Sequence, residues 1–251
     1  MPWNPEQYHK FQSERSAPFY DLLKLVEIRP RIKAIDLGCG TGELTRVLAD
    51  ALPESNLIGL DSSLQMLDKA VSHSSSNLQF KQGDLSELTG NWDLIFSNAA
   101  IQWCEDHEKL IPYLFSKLNR GGQLCVQIPS NHNHISHLLI RETAKEAPFD
   151  KILNSFERIS PVLSIEHYTK ILFEQNARNI LVFEKIYLHV LENSDAVVEW
   201  ISGTALVPYF ERLGEHKPEF LEVLGKKMKK ALPESPLLYP FRRILFSATK
   251  S

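Results

Sequence analysis

Apolar positions along this chain recur at two alternating periods, and the alternation predicts its architecture. Phe19, Leu22, Leu23 and Val26 fall three and four residues apart, which predicts an N-terminal helix. Arg29-Pro30 ends it, because a residue before proline disfavours the α region. Ala34-Ile35 reads as a strand entering a glycine-rich turn, after which Leu44, Val47, Leu48 and Leu52 return to helical spacing. Leu57-Ile58-Gly59-Leu60 predicts a second strand ending in Asp61, and Ser62-Ser63 offers an N-cap to a helix carrying Met66, Leu67 and Val71. A third strand is predicted over 78–82, before Gly83-Asp84, and a fourth over 92–96. Leu110, Leu114 and Leu118 mark a helix stopping at Asn119-Arg120-Gly121-Gly122, and 124–128 makes a fifth strand. Strands alternating with helices in this rhythm predict an α/β fold with a mostly parallel sheet and right-handed crossovers.

Beyond Pro129 the rhythm loosens. Residues 130–180 read as helix and loop, and 183–191 as a strand alternating Ile186, Leu188 and Val190 against Lys185, Tyr187 and His189. Residues 194–232 read as helices interrupted at Pro208 and near Pro218, and 244–249 as a last strand. The helical stretches flanking 183–191 are too long for plain connections, which predicts a helical cap over the carboxyl edge of the sheet. The expected organisation is one domain: 1–30 as an N-terminal lid helix, 31–130 as the ligand-binding core, and 131–251 as the remaining strands with cap insertions.

Composition narrows the function classes. The 251 residues carry a net charge of −3, so no global field draws nucleic acid or an anionic membrane. Three cysteines, Cys39, Cys104 and Cys125, are odd in number and far apart, which argues against a disulfide framework. The start of the sequence has no cationic-then-apolar signal pattern, and no apolar run approaches the roughly 20 residues of a membrane span. A cytoplasmic location is expected. His132, His134 and His137 follow a strand-ending proline without the spacing of a metal motif, so no metal is expected.

The candidate chemistry sits in Asp36-Leu37-Gly38-Cys39-Gly40-Thr41-Gly42. A dinucleotide loop needs G-x-G-x-x-G, but Glu43 occupies the third glycine position, and the Gly-Lys-Ser/Thr ending of a phosphate loop is absent. Asp36 and Glu43 flank the turn, which disfavours a pyrophosphate and suits a ligand carrying an ammonium and a sulfonium. Asp61, at the end of the second strand, stands where an acid can accept both ribose hydroxyls. Asp84, ending the third, can read an adenine amino group.

These residues together with Ser97-Asn98 resemble the class I S-adenosylmethionine methyltransferases. The resemblance implies a Rossmann-like, seven-stranded, mostly parallel sheet with helices on both faces. It implies S-adenosyl-L-methionine as cofactor, held by Asp36, Gly38, Gly40, Asp61, Ser62, Met66, Asp84, Leu85 and Asn98. Trp3-Asn4-Pro5-x-x-Tyr8, Phe11, Glu14-Arg15-Ser16 and Asp21-Leu22-Leu23 resemble the N-terminus of the trans-aconitate 2-methyltransferases. Residues 97–103, 127–129, 139–142 and 240–246 match that pattern too. The resemblance implies transfer of a methyl group to a carboxylate of a small acid. A carboxylate is already a nucleophile at neutral pH, so no general base is required. Arg15, Tyr168, Trp200, Arg242 and Arg243 are the candidates to hold the acid, with Arg141 behind them. The sequence departs from the family at Val207, where an arginine usually precedes the proline matching Pro208. Ser97-Asn98, Gln102-Trp103-Cys104 and Tyr239-Pro240 also resemble the malonyl-carrier-protein O-methyltransferases of biotin synthesis, with Lys226-Lys227-Met228-Lys229-Lys230 as a dock for an acidic carrier protein. A protein that binds the cofactor without catalysis is the third alternative.

Overall fold

The computed structural model describes residues 12–251, with side chains from Ser16 onward. The motif at Trp3, Tyr8 and Phe11 and the side chain of Arg15 lie outside the described residues. The chain divides into two compact units. The sheet unit is formed by Arg15–Pro129, Pro161–Lys185 and Arg243–Ser251, and the helical unit contains Ser130–Ser160 and Ile186–Arg242. The block 131–251 is thus shared between the two, with 161–185 and 243–251 joining the sheet.

Among the described residues there are seven strands: β1 (Lys33–Leu37), β2 (Asn56–Asp61), β3 (Leu78–Gln82), β4 (Trp92–Asn98), β5 (Leu118–Pro129), β6 (Arg178–Leu191) and β7 (Leu237–Thr249). Their order is β3-β2-β1-β4-β5-β7-β6, parallel from β3 through β5, with β7 antiparallel to β5. The mostly parallel sheet expected from the sequence is present. Successive residues of the central strands go to opposite faces, as the period of two dictates. Ile35, Leu37, Ile95, Leu124, Val126 and Phe246 pack with Leu110, Ile111 and Leu114 of α4 (His107–Ser116) and with Ile171 and Leu172 of α7 (Ile165–Glu174). Ala34, Leu94, Phe96, Cys125 and Leu245 pack instead with Phe19 and Leu22 of α1 (Gln12–Leu23) and Leu48 and Ala49 of α2 (Glu43–Ala51). A third helix, α3 (Leu64–Ala70), buries Leu67 and Ala70 beside Cys39.

Helix α1 runs through Pro18, a residue that costs about 3 kcal/mol inside a helix. Phe19 and Leu22 are fully buried, Phe19 meeting the Phe96 ring edge-on at 5.6 Å. Burying two such side chains contributes roughly 3–6 kcal/mol, enough to hold the helix through the proline. From Phe19 on, the segment read as a lid is a packed element of the sheet unit.

Three local readings change. Asn119-Arg120-Gly121-Gly122 does not end a helix; α4 stops at Ser116 and β5 starts at Leu118. Trp92 pairs with Leu118 and Leu94 with Gln123, so these four residues bulge out of the ladder. Gly121 takes φ +74°, and a Cβ on Gly122 would stand 2.9 Å from the carbonyl oxygens of Asn119 and Trp92. The glycine pair serves a bulge. In β6 the alternation is right but the faces are reversed: Tyr187, His189 and Leu191 are buried, whereas Ile186, Leu188 and Val190 are exposed. Within the helical unit His189 lies against the Trp200 ring at 4.7 Å, and that aromatic cluster claims the face. Pro208 and Pro218 do not interrupt helices but open α9 (Val207–Leu213) and α10 (Lys217–Ala231), where a missing N–H costs nothing.

The helical unit has its own core. It joins Leu139 and Ile140 of α5 (Ile135–Ala144), Phe149 of the short α6 (Phe149–Ile152), Trp200 of α8 (Ser194–Ser202), Tyr209 of α9, and Phe220 and Leu224 of α10. Among the described residues no helix is long and apolar enough to cross a membrane.

Candidate active site

Strand order reverses at β1, where β2 lies to one side and β4 to the other. The loops leaving the two parallel strands β1 and β4 therefore diverge and open a crevice at their carboxyl ends. The β1 loop turns on glycines at positive φ: +74° at Gly38, +55° at Gly40 and +82° at Gly42. A Cβ on Gly38 would stand 2.2 Å from the Cβ of Ala100, so loop and β4 exit touch through a hydrogen atom only. A Cβ on Gly40 would meet nothing within 4 Å. The loop is closed at its base and open above Gly40.

Acids organise this loop. Asp36, one residue before the end of β1, is almost enclosed, and its Oδ2 accepts from Thr45 Oγ1 at 2.6 Å. Burial pushes its carboxyl up to about 7, against the Thr45 hydrogen bond, and the charge of Asp61 adds to the rise. Asp61 ends β2 and accepts two backbone amides, Gly40 N on Oδ2 and Ser63 N on Oδ1, both at 2.9 Å. It therefore ties the glycine loop to the start of α3, where Ser63 caps Met66 N as expected. Ser62 follows directly and is exposed, and Met66 is half-buried on the first turn of α3. At the end of β3, Asp84 accepts from Ser86 N and Oγ, and these hydrogen bonds hold its carboxyl below the usual range. Leu85 is half-buried in the short turn that follows. Glu43, read from sequence as the second flanking acid, opens α2 and is exposed.

At the β4 exit Ser97 Oγ donates to the Leu37 carbonyl at 3.1 Å, locking β4 to β1. Asn98 follows, half-buried, and Ala99 sits at φ +53°, a left-handed turn that costs a non-glycine residue roughly 1–2 kcal/mol. With its amide oriented to donate Nε2 to Asn98 Oδ1 at 2.8 Å, Gln127 accepts from Ile128 N at 3.0 Å and from Arg243 Nη1 at 3.2 Å. Arg243, Gln127 and Asn98 thus form one polar chain across β7, β5 and β4. Thr45 was missed by the sequence reading, and Gln127 and Ala100 were quoted only within a family pattern, without a role. That of Gln127 depends on strand register, which pairs Asn98 with Gln127 and Pro129 with Arg243.

The charge of the site selects its ligand class. Asp36 and Asp61 both act on the Cys39 thiol, which burial and their charges push up. An anionic loop with one open glycine and an acid at each of three successive strand ends fits a cationic nucleoside ligand, and opposes a polyphosphate.

The acid-binding candidates divide. Arg243 is buried in the chain just described, and Arg242 is exposed, its backbone N–H donating to Asn131 Oδ1 at 3.0 Å. Tyr168 is a core residue: it is fully buried, stacks on Phe246 at 5.1 Å, and its hydroxyl contacts His107 Nδ1 at 2.5 Å. Trp200 is likewise core within the helical unit, packed among His189, Tyr239 and Phe241. Helical spacing cannot tell a buried aromatic that lines a site from one that fills a core, and both fill cores. Arg141 faces Glu157 at 3.8 Å. Val207 is the first residue of α9 and half-buried. The lysine run lies on α10, where Lys226 pairs with Glu222 and Lys227 with both Glu142 and Glu146 at 2.7 Å. Among the described residues no group of three or more His, Cys, Asp or Glu is placed to hold a metal ion.

Comparison with known proteins fits this geometry. The model of a methyltransferase domain family matches residues 28–184. The chain is 45% identical to the trans-aconitate 2-methyltransferase of Deinococcus radiodurans, over 100% of this chain and 99% of that protein. It shares its fold with the YcgJ protein of Bacillus subtilis at TM-score 0.61 and 13% identity, covering 93% of this chain and 97% of the other. A further likeness is to Haemonchus contortus phosphoethanolamine N-methyltransferase 2, solved in complex with S-adenosyl-L-methionine. There the TM-score is 0.57 at 17% identity, with 93% of this chain spanning 52% of that one.

Proposed function

We infer the reaction from one premise: the chain belongs to the methyltransferase domain family and to the trans-aconitate 2-methyltransferases. It is an S-adenosylmethionine-dependent O-methyltransferase that places a methyl group on a carboxylate of a small organic acid, trans-aconitate. When bound, S-adenosylmethionine supplies an electrophilic methyl group on a sulfonium. The observation that carries the cofactor assignment is Asp61, at the end of β2, whose two oxygens hold the glycine loop and the α3 start.

The residues divide the work. Asp61 and Ser62 take the ribose, and Asp84, Leu85 and Met66 take the adenine. Gly38, Gly40 and Asn98 receive the amino-acid part. Asp36 acts from beneath the loop: its carboxylate, braced by Thr45, opposes the positive charge above it. No residue must remove a proton, because the acid arrives as a carboxylate; catalysis is positioning, worth up to roughly 7–11 kcal/mol when reacting atoms are held in line. Arg242 and Arg243 are the cations for the acid, Arg243 acting also as a positioning residue for Asn98 through Gln127. Arg15 retains the role that the family resemblance gives it.

A panel assay tests the acceptor. Purified protein with labelled S-adenosylmethionine is expected to esterify trans-aconitate in preference to monocarboxylic acids and to malonyl-carrier protein. Turnover of the carrier protein alone would overturn the assignment to a free acid.

Asp36 gives the reaction a pH signature. Its carboxyl, raised to about 7, must ionise to favour a cation, so affinity for S-adenosylmethionine rises from pH 6 to pH 8 and then levels off. The stability sign is opposite. The folded state binds this proton more tightly than the unfolded state, so stability present below pH 3.8 is lost as pH rises through about 7. Thr45→Val removes a hydrogen bond that lowers this value, so calorimetry at several pH values should find the binding midpoint moved upward. An affinity flat with pH in both proteins would remove Asp36 from the cofactor's field.

A further inference from the structure

Two fully enclosed titratable groups of the sheet unit have no part in the reaction assigned above: His107, on the first turn of α4, and Tyr168, on α7. Their hydrogen bonds form a directed chain. His107 Nε2 lies 2.8 Å from the Ile101 carbonyl, which can only accept, so the imidazole proton sits on Nε2. Burial lowers the basicity of the ring, against the pull of the Ile101 and Cys104 carbonyls and of Asp106, so the ring is neutral at physiological pH. Its Nδ1 is therefore an acceptor, and it takes the Tyr168 hydroxyl proton at 2.5 Å. Tyr168 Oη accepts in turn from Leu163 N at 3.2 Å, and the second lone pair of the Ile101 carbonyl is filled by Cys104 N at 2.9 Å. The Tyr168 ring is itself fixed on the sheet, stacked on Phe246 of β7.

The far end of this chain is a strained turn. Ala99 sits at φ +53°, a conformation that persists only where its neighbours over-determine it. On one side its N–H donates to the Gln127 carbonyl at 3.0 Å. On the other side Gln102 Nε2 donates to the Ala99 carbonyl at 2.6 Å, and Ile101 is pinned by His107. Ala100 lies between these anchors, and its Cβ fills the space that a side chain on Gly38 would need. An apolar residue at position 107 could fill the same volume without the desolvation cost of an imidazole. What the polar chain adds is a fixed length and direction between α7, α4 and the β4 exit.

We propose that Tyr168 and His107 are positioning residues for the cofactor: their chain holds Ala99–Ile101 so that Ala100 backs the glycine loop at Gly38, and thereby shapes the place of the amino-acid part. Neither residue touches a ligand. The proposal rests on the cofactor assignment above. The ribose and adenine parts are assigned to Asp61 and Asp84, to which this chain makes no hydrogen bond, so its loss should be felt at one end of the cofactor only.

The test compares two ligands by calorimetry, S-adenosylhomocysteine and methylthioadenosine, which keeps the nucleoside and the sulfur but lacks the amino-acid part. Tyr168→Phe keeps the stacked ring and removes the hydroxyl, and should weaken S-adenosylhomocysteine about fivefold. His107→Leu removes both hydrogen bonds of the ring and should weaken it at least about tenfold. Methylthioadenosine affinity should stay within about twofold in both. His107→Gln, whose amide can accept from Tyr168 and donate to Ile101, should recover most of the loss. A merely structural role would weaken both ligands alike, and equal losses overturn the proposal. Unchanged affinity for S-adenosylhomocysteine in His107→Leu overturns it too; if that variant does not fold, unchanged affinity in Tyr168→Phe does so. Wild type binding neither ligand would instead overturn the cofactor assignment, and the positioning role with it.

Discussion

Asp61→Ala is expected to weaken binding of S-adenosylhomocysteine about 100-fold, or about 2.7 kcal/mol. The carboxylate now satisfies Gly40 N and Ser63 N, both at 2.9 Å, so its loss frees two backbone donors at once. Hydrogen bonds to a charged group contribute roughly 1.5–3 kcal/mol each, and the ribose loses its acid as well. Asp61→Asn should do almost as badly. Its amide has one oxygen, so the NH2 group must face one of two N–H donors. Calorimetry on variants with wild-type circular dichroism measures the effect, and an affinity within threefold of wild type would move the ribose away from Asp61.

Gly38→Ala should cost the fold as well as the ligand. The new Cβ would stand 2.2 Å from Ala100 Cβ, where carbon atoms settle at about 3.5–4.0 Å. Its φ of +74° adds roughly 1–2 kcal/mol for any residue with a Cβ. Together they should remove about 3 kcal/mol, a fall of roughly 6–12 °C in apparent Tm for a protein of this size. Ala100→Gly in the same chain takes away the collision and leaves only the dihedral cost, so about half the loss should return. Gly40→Ala separates the two costs: its Cβ meets nothing within 4 Å, so only the dihedral cost of φ +55° remains, and Tm should fall about half as far as in Gly38→Ala while cofactor affinity drops. Equal thermal shifts for the two glycine variants would contradict the loop geometry.

What could be read without coordinates was what repeats locally. The parallel core was legible because each strand ended in a polar signal, Gly38, Asp61 or Asp84, followed by a helical period or a capping serine. The glycine loop was legible because its spacing excluded two alternatives outright. Less legible were features fixed by register or by competition between faces. Gly121-Gly122 carries the same signal for a helix stop and for a bulge, and only the pairing of Trp92 with Leu118 decides. Ile186, Leu188 and Val190 are as apolar as any core stripe, yet the His189–Trp200 contact turns them outward. Tyr168 and Trp200 were read as ligand contacts, because residue type alone does not report whether a hydroxyl or a ring is already enclosed. Thr45 carries no motif, and Gln127 stood in a family pattern without a role, since it matters through Asn98 and Arg243, far along the chain.

The cysteine inside the glycine loop shows what the acids around it accomplish besides selecting a cation. A bound sulfonium is an alkylating agent, and any thiolate within its reach competes with the intended acceptor. Cys39 lies between Asp36 and Asp61, and burial together with both charges keeps its sulfur protonated. Cys104, near Asp84, is held in the same state, pushed up to about 11. A protonated sulfur is a poor nucleophile. Burial first, and the acidic cradle after it, thus keep the two thiols beside this loop in their less nucleophilic form.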